Sequence, residues 1–392
     1  MSSFTNFANR VSSFAESATL ALGARAKQMA RDGKDVINFS LGEPDFNTPT
    51  PIIETALQKA RDGATKYTPV GGELTLRRAI CDRMKADYGL SYEEKEVLVS
   101  NGGKQSIFHF LQAVINPGDE VLICKPYWTS FPEMVKLVEG KPVFVEHKNG
   151  RPDFEDLKSK ISARSKAFIL NSPSNPSGIV WRKEELETLK NILEPHSVWL
   201  LSDDTYDKLV YSPAKFFSFI QLFPSFRDRT CIVGSTSKSY AMTGWRLGWA
   251  LGPQSLIEAM TKIQGQVTSG ASSVSQAAAV AALKGSDDFV ADFHKLFASR
   301  RKKLLELLDA AGISYMEPEG AFYCFLSLKP HLSASQSVAD FCEKLLVEKG
   351  VCLVPGEAFG EPDYARLSYA LSEKEIEEGL RRLIEFFKAS KS

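Results

Sequence analysis

The amino-acid sequence predicts an α/β protein with a mostly parallel central sheet flanked by helices. Short runs that are apolar throughout alternate with helical patterns along the middle of the chain. Strands that are buried on both faces and separated by helices are typical of parallel sheets in layered α/β proteins. The runs that predict strands are residues 96–99, 120–123, 167–170, 198–201, 231–233 and 247–251.

The length of the chain predicts two domains. With 392 residues, the chain is longer than one ordinary hydrophobic core supports. We expect a large domain over residues 50–285 and a smaller α+β domain formed by both chain ends, residues 1–49 and 286–392.

Charge and cysteine content narrow the functional class. The 48 basic and 48 acidic residues balance, so no general field attracts nucleic acid or an anionic membrane, and the expected partner is a small molecule. The six cysteines lie singly in apolar runs without C-x-x-C pairs or nearby histidines, which favours a reducing compartment such as the cytoplasm and predicts no metal site. No apolar run approaches the roughly 18 residues that span a bilayer.

The most informative segment follows the apolar run at 231–233. Residues 235–238 are Ser-Thr-Ser-Lys, and Arg246 follows eight residues after Lys238. A lysine amine forms a Schiff base with a carbonyl, and pyridoxal 5'-phosphate is the common cofactor for that chemistry; its phosphate would bind the two serines and Arg246. Most lysines beside serines are solvated loop residues. Lys238, however, lies in an almost uncharged run, which predicts a lowered pKa.

The carboxyl ends of the other predicted strands also carry polar groups. In open α/β sheets, ligands bind beyond these ends. Residues 101–104 are Asn-Gly-Gly-Lys and precede a predicted helix over 105–115, where backbone N–H groups and the helix dipole can hold a phosphate. A Gly-Gly pair by itself is more often a plain turn.

Two further strand ends carry an amide and carboxylates. The run at 167–170 leads into a loop in which two X-Pro steps would aim Asn175 at a cofactor. The run at 198–201 leads into Asp203 and Asp204. A carboxylate facing a pyridine nitrogen keeps the ring an electron sink, although either aspartate alone could instead cap a helix. Taken together, the strand ends predict one site.

These segments carry a family resemblance. The chain resembles the fold-type I, class I pyridoxal-phosphate aminotransferases, in the aspartate aminotransferase subgroup that includes aspartate/prephenate and aromatic aminotransferases. The matching segments extend over essentially the whole chain and are residues 42–46, 67–71, 102–104, 126–128, 171–178, 203–206, 235–246 and 366–370.

The resemblance implies a role for each matching residue and a homodimer with active sites at its interface. Lys238 would be the Schiff-base lysine and the base that moves a proton at the substrate Cα. Arg366 would bind the substrate α-carboxylate, supported by Gly42 and with Lys104, Trp128 and Asn175 also in the substrate site. The implied cofactor contacts are Asp203 at the pyridine nitrogen, Asn175 and Tyr206 at the phenolic oxygen, Trp128 on the ring, and, at the phosphate, Gly103, Lys104, Ser235, Ser237, Arg246 and Tyr67 of a neighbouring subunit.

One departure from the family bears on the substrate. No arginine occurs between Arg246 and Arg300, where better-known aspartate aminotransferases place the arginine that binds the distal carboxylate; the subgroup uses a lysine at the position of Lys104 instead. We therefore expect a ping-pong reaction that moves an amino group between an amino acid and 2-oxoglutarate, with aspartate as the favoured amino acid. Phe39, Trp128 and Phe322 equally suit an aromatic amino acid or prephenate.

Two other functional classes stay open. A lyase on the same fold would use the same Lys238. A cofactor-binding regulator would carry an added DNA-binding segment, and the roughly forty residues before Gly42 contain no basic recognition helix.

Overall fold

The structure is a computed structural model that describes residues 8–12, 14, 18–333 and 336–390. Within these residues, the β-strands are β1 Ile37–Asn38, β2 Val97–Ser100, β3 Glu120–Cys124, β4 Lys141–Val145, β5 His147–Lys148, β6 Arg151–Pro152, β7 Ser165–Asn171, β8 Trp199–Asp203, β9 Thr230–Ser235, β10 Gly248–Leu251, β11 Tyr315–Met316, β12 Tyr323–Ser327, β13 Val351–Cys352, β14 Val354–Pro355 and β15 Tyr364–Ser368.

The α-helices of the same residues cover the sheets. They are α1 Ala18–Arg31, α2 Thr50–Arg61, α3 Leu74–Tyr88, α4 Gly103–Val114, α5 Ser130–Leu137, α6 Phe154–Lys160, α7 Lys183–Leu193, α8 Phe219–Leu222, α9 Gln254–Val267, α10 Ser273–Lys284, α11 Asp288–Ala310, α12 Val338–Lys349 and α13 Glu373–Ser390.

The large sheet has seven strands in the order β2-β10-β9-β8-β7-β3-β4. Strands β4, β3, β7, β8 and β9 pair in parallel, and β10 is antiparallel to both of its neighbours. The mostly parallel sheet that the sequence predicts is confirmed, and all six predicted strands are present. The pattern missed β4, an edge strand that contains Pro142 and is only partly buried, because a half-exposed edge gives a weak apolar signal.

Successive strand residues face opposite sides of this sheet, so each strand contributes side chains to two hydrophobic cores. In β2, Val97 and Val99 belong to the core that α2, α3, α7 and α10 cover on one face, whereas Leu98 belongs to the core that α4, α5 and α9 cover on the other. This double burial is the reason that the strands are apolar throughout.

A second sheet forms a separate core. It is antiparallel, with the order β11-β12-β15-β14, and packs with α11, α12 and α13 through residues such as Phe297, Phe341 and Leu380. The same core includes Tyr206 and Leu209 from the chain after β8. The boundaries 50–285, 1–49 and 286–392 stay a prediction, and parts of both chain ends lie outside the described residues.

No described helix is both long enough and apolar enough to cross a membrane. The described residues also include no cluster of three or more histidine, cysteine or acidic side chains that could hold a metal ion.

Candidate active site

A cavity of about 550 Å³ lies at the carboxyl ends of the parallel strands of the large sheet, where the small sheet approaches. The strands β7, β8 and β9 and the start of α4 each contribute residues to its wall, as the strand-end argument predicts. The predicted site residues that line it are Gly42, Gly103, Lys104, Trp128, Asn175, Asp203, Tyr206, Ser235, Ser237, Lys238, Arg246 and Arg366.

Lys238 lies in the cavity wall just after β9, and its Nζ donates to the Gly42 carbonyl at 2.5 Å. Burial lowers the pKa of Lys238 to about 8, and the positive charges of Arg366 and Arg246 act in the same direction. Glu43 and Asp203 oppose this shift. The lowered pKa that its uncharged sequence surroundings predict is confirmed.

Asp203 ends β8 and faces the cavity. One carboxylate oxygen accepts from the Thr205 hydroxyl at 2.6 Å and from the Thr205 N–H at 3.3 Å. Burial raises the pKa of Asp203, while the bonds from Thr205 and the charge of Lys238 oppose that rise. Donors and a cation therefore counteract part of the effect of burial on the charged form of this carboxylate.

The neighbouring Asp204 faces the opposite side of the strand end. Its carboxylate accepts from the Ser202 hydroxyl at 2.6 Å and lines a separate cavity of about 40 Å³ that Asp207 and Ser239 also line. Burial and the nearby Asp207 raise the pKa of Asp204 well above its ordinary value. The two adjacent aspartates thus occupy different environments.

The start of α4 can hold an anion. Gly102, immediately before the helix, has a left-handed φ of 85°, and a Cβ added there would lie 2.6 Å from Arg246 Nη2. A Cβ on Gly248 would lie 2.3 Å from the Gly103 nitrogen. These two glycines let β10 and Arg246 approach the N–H groups of the first turn, where the helix dipole favours an anion.

Arg246 and the serines after β9 add donors beside that turn. Arg246 Nη1 donates to the Thr243 carbonyl at 2.8 Å, and no described carboxylate forms an ion pair with this arginine. The Ser237 N–H donates to the Ser235 hydroxyl oxygen at 3.3 Å. Backbone N–H groups, hydroxyls and one unneutralised guanidinium are the donor set that suits a phosphate.

Arg366, on β15, is 3% exposed. Its Nη1 donates to Asn175 Oδ1 at 2.9 Å and its Nη2 to the Ser40 carbonyl at 2.8 Å. Two of its five N–H donors are thus used. Burial lowers the pKa of Arg366, and the Tyr323 ring lies 4.6 Å from the guanidinium carbon. Asn175 turns its oxygen to Arg366, and its NH₂ group donates to no described residue, so it is available to a ligand.

Lys104 lies at the solvent-accessible mouth of the cavity. Its Nζ is 4.8 Å from the centre of the Trp128 ring, and partial burial together with the charge of Arg246 lowers its pKa. No ion pair joins Lys104 to a carboxylate in the described part of the chain. It is therefore available to a ligand anion.

Sequence and structure comparisons agree on the family. The protein-family model described as "Aminotransferase class I and II" matches residues 34–383. The chain belongs to this aminotransferase family. It is 43% identical to a probable aspartate/prephenate aminotransferase of Rhizobium leguminosarum bv. phaseoli, over 98% of this chain and 99% of the relative.

The fold of this aminotransferase also matches solved structures. The aspartate aminotransferase of Thermus thermophilus with maleate is 37% identical, covers 98% of this chain and 100% of its own, and has a TM-score of 0.93. That of Rhizobium meliloti is 41% identical, with coverages of 98% and 99% and the same TM-score of 0.93. The predicted family and its fold type I are therefore confirmed.

Two residues expected to line a pocket for an aromatic substrate do not line the cavity. Phe39 and Phe322 have no exposed surface and pack in the core of the small sheet, so this expectation was wrong. Phe39 and Phe322 are in turns rather than in strands, so no two-residue period in the sequence indicates where their rings lie. The next residues, Ser40 and Tyr323, line the cavity instead. Of the three aromatic residues, only Trp128 lines it.

Tyr67 stays a prediction because its role requires a second chain. It is fully exposed and does not line the cavity of its own chain.

Several cavity residues were missed by sequence reasoning. Glu43 and Thr205 line the cavity and lie inside two segments that carry the family resemblance, residues 42–46 and 203–206. Their polar side chains in those segments are the signal that could have identified them. Tyr323 gave no local signal, because the hydroxyl that it contacts belongs to Tyr206, 117 residues away.

The pKa of Lys238 predicts selective labelling of the protein without cofactor. Only the unprotonated amine reacts with an acylating reagent, so Lys238 should become half-reactive near pH 8, about two pH units below an ordinary lysine. Peptide mass spectrometry across a pH series measures this, with exposed lysines of the same sample as the control. Labelling of Lys238 that rises only with the exposed lysines would contradict the description of its environment.

Proposed function

We propose that this chain is a pyridoxal-phosphate-dependent aminotransferase that moves an amino group from aspartate to 2-oxoglutarate by a ping-pong reaction. The observation that carries the proposal is one cavity that holds the amine of Lys238, the carboxylate of Asp203 and the first turn of α4. Curated relatives named aspartate aminotransferase, 41% identical over 97% of this chain, support the donor.

The residues present fit the cofactor. Its phosphate would bind the first turn of α4, Ser235, Ser237 and Arg246, where glycine at 102 leaves the space that a Cβ would fill. Asp203 would face the pyridine nitrogen, Trp128 the ring, and the free NH₂ of Asn175 together with Tyr206 the phenolic oxygen. When bound, the cofactor supplies an electron-accepting ring that acidifies the substrate Cα–H.

Lys238 would attach the cofactor and afterwards move the proton at the substrate Cα. With a pKa of about 8, on the order of a tenth of the amine is unprotonated at pH 7, against less than about a thousandth for an ordinary lysine. A base whose pKa lies near the working pH transfers protons efficiently.

Arg366 would bind the substrate α-carboxylate with the N–H groups that Asn175 and Ser40 leave unused. The Gly42 backbone lies beside it in the same cavity. This contact would fix the substrate Cα relative to Lys238, and closure of the small domain through Arg366 would exclude water.

A homodimer in the cytoplasm completes the proposal. Tyr67 is 100% exposed, and Leu74 and Val267, at 42% and 55%, are among the few large exposed apolar side chains. A Cβ on Gly270 would lie 2.4 Å from the Thr68 hydroxyl, so the segment of Tyr67 packs on the chain just after Val267. A second subunit would cover this surface, and Tyr67 would reach the partner's phosphate. The six cysteines are free thiols, which supports a reducing compartment.

An aromatic or prephenate-directed activity is the second candidate. The face of Trp128 in the cavity and the name of the 43% identical relative favour it. Lys104, without a carboxylate partner in the described residues, favours an acidic donor.

Borohydride reduction tests the cofactor attachment. The reduced protein should carry the cofactor on the peptide that contains Lys238, and Lys238→Ala should lose turnover while its thermal unfolding is little changed. Label on another lysine, or full turnover by Lys238→Ala, would refute the proposal.

The two adjacent aspartates should respond differently to substitution. Asp203→Asn removes the charge that faces the cofactor nitrogen and should lower kcat by about 100-fold or more. Asp204→Asn, the matched control, changes a carboxyl outside the cavity and should lower kcat by less than about tenfold. Steady-state kinetics measures both, and comparable losses would mean that the wrong carboxylate is assigned.

Lys104 should determine the preference for acidic donors. Because it lies at the solvent-accessible mouth, Lys104→Ala should lower kcat/KM for aspartate by about 10- to 30-fold, at the low end for a charged contact, and spare aromatic donors. Lys104→Arg, which keeps the charge, should retain most of the activity with aspartate. Equal losses for both donor types would show that Lys104 serves the cofactor or the loop, and would favour the aromatic alternative.

A further inference from the structure

Tyr323 is a buried tyrosine whose hydroxyl reaches the active-site cavity. It begins β12 of the small sheet and is 1% exposed. Its hydroxyl oxygen lies 2.9 Å from that of Tyr206, and the two rings meet edge to face with centroids 5.8 Å apart. This hydrogen bond joins the small sheet to the strand end that carries Asp203.

The surroundings of Tyr323 place it between the proposed cofactor and substrate contacts. A Cβ on Gly42 would lie 3.2 Å from the Tyr323 hydroxyl oxygen, so the hydroxyl is packed against the Gly42 backbone. The ring lies 4.6 Å from the guanidinium carbon of Arg366, a separation at which a buried cation is attracted to a ring face.

Either hydroxyl of the Tyr206–Tyr323 pair can donate to the other. Each phenol has one proton, so only one of the two donates within the pair. In the proposed function Tyr206 gives its proton to the phenolic oxygen of the cofactor, so the Tyr206 oxygen accepts and Tyr323 is the donor. An accepting hydroxyl is itself a better donor, and the Tyr206 proton is left for a ligand in the cavity.

We propose that Tyr323 is a positioning residue that acts through Tyr206. Its hydroxyl donates to Tyr206 and so directs the Tyr206 proton to the phenolic oxygen of the bound cofactor, while its ring supports the guanidinium of Arg366. The inference rests on the proposed function, because the phenolic oxygen belongs to the cofactor.

A pH titration of the visible absorption band of the holoenzyme tests this role. A donor to the phenolic oxygen draws negative charge away from the Lys238 nitrogen, so a weaker donor should let that nitrogen hold its proton more tightly. In Tyr323→Phe, the apparent pKa of the band should rise by about half to one pH unit, the effect of one neutral hydrogen bond. The retained ring should keep KM within about twofold while kcat falls by about three- to tenfold.

Four further variants give controls. Tyr369→Phe removes a hydroxyl that is equally buried but does not line the cavity; it donates to the Ala321 carbonyl at 3.1 Å. The absorption band of this variant should titrate like that of the unaltered protein. Tyr206→Phe should shift the pKa of the band at least as much as Tyr323→Phe, and the double variant should match Tyr206→Phe alone, because Tyr323 then has nothing to act through. Tyr323→Leu, which removes the ring, should raise KM for the amino donor by about tenfold.

The possible outcomes distinguish failure of the role proposed for Tyr323 from failure of the proposed function. A Tyr323→Phe band that titrates like the unaltered protein, or additive shifts in the double variant, would overturn the role of Tyr323. Absence of any cofactor band on Lys238 would instead refute the proposed function.

Discussion

The amine of an ordinary lysine is solvated, whereas that of Lys238 is buried between two sheets. The rest of the site depends on this burial. Burial lowers the pKa of Lys238 to about 8, with Arg366 and Arg246 acting in the same direction and Glu43 and Asp203 opposing them. The result is an amine that exchanges protons near neutral pH. Beside it, burial raises the pKa of the Asp203 carboxyl, and Thr205 and Lys238 oppose that rise. The remaining polar groups of the cavity are arranged around this pair.

The cavity exists only where the two sheets meet. The large sheet contributes Asp203, the segment of Lys238 and the first turn of α4, and the small sheet contributes Arg366 and Tyr323. Hydrogen bonds between Lys238 and Gly42, Arg366 and Asn175, and Tyr206 and Tyr323 cross the junction at the cavity. Their partners are 196, 191 and 117 residues apart in sequence, so the site depends on the packing of the two cores rather than on any one segment.

Much of this arrangement could be predicted from the sequence, because strands buried on both faces leave continuous apolar runs and their carboxyl ends must meet at one sheet edge. This argument located Asn175, Lys238 and the pair Asp203 and Asp204, and the family resemblance selected Asp203 from that pair. The rest depends on contacts without local signals. The half-exposed edge strand β4 gave too weak a pattern. Phe39 and Phe322 are in turns, where no periodicity separates core residues from cavity residues. Tyr323 contacts Tyr206, which is 117 residues away in sequence.

Reaction of the holoenzyme with aspartate alone, without any 2-oxo acid, tests most directly whether this cavity takes up an amino group and retains it. We expect one equivalent of oxaloacetate per subunit, a single change in the cofactor absorption band and no ammonia or carbon dioxide. Addition of 2-oxoglutarate should then restore the band and release glutamate. Continuous release of ammonia or carbon dioxide from aspartate alone would contradict amino transfer and would assign the cavity to lyase or decarboxylase chemistry.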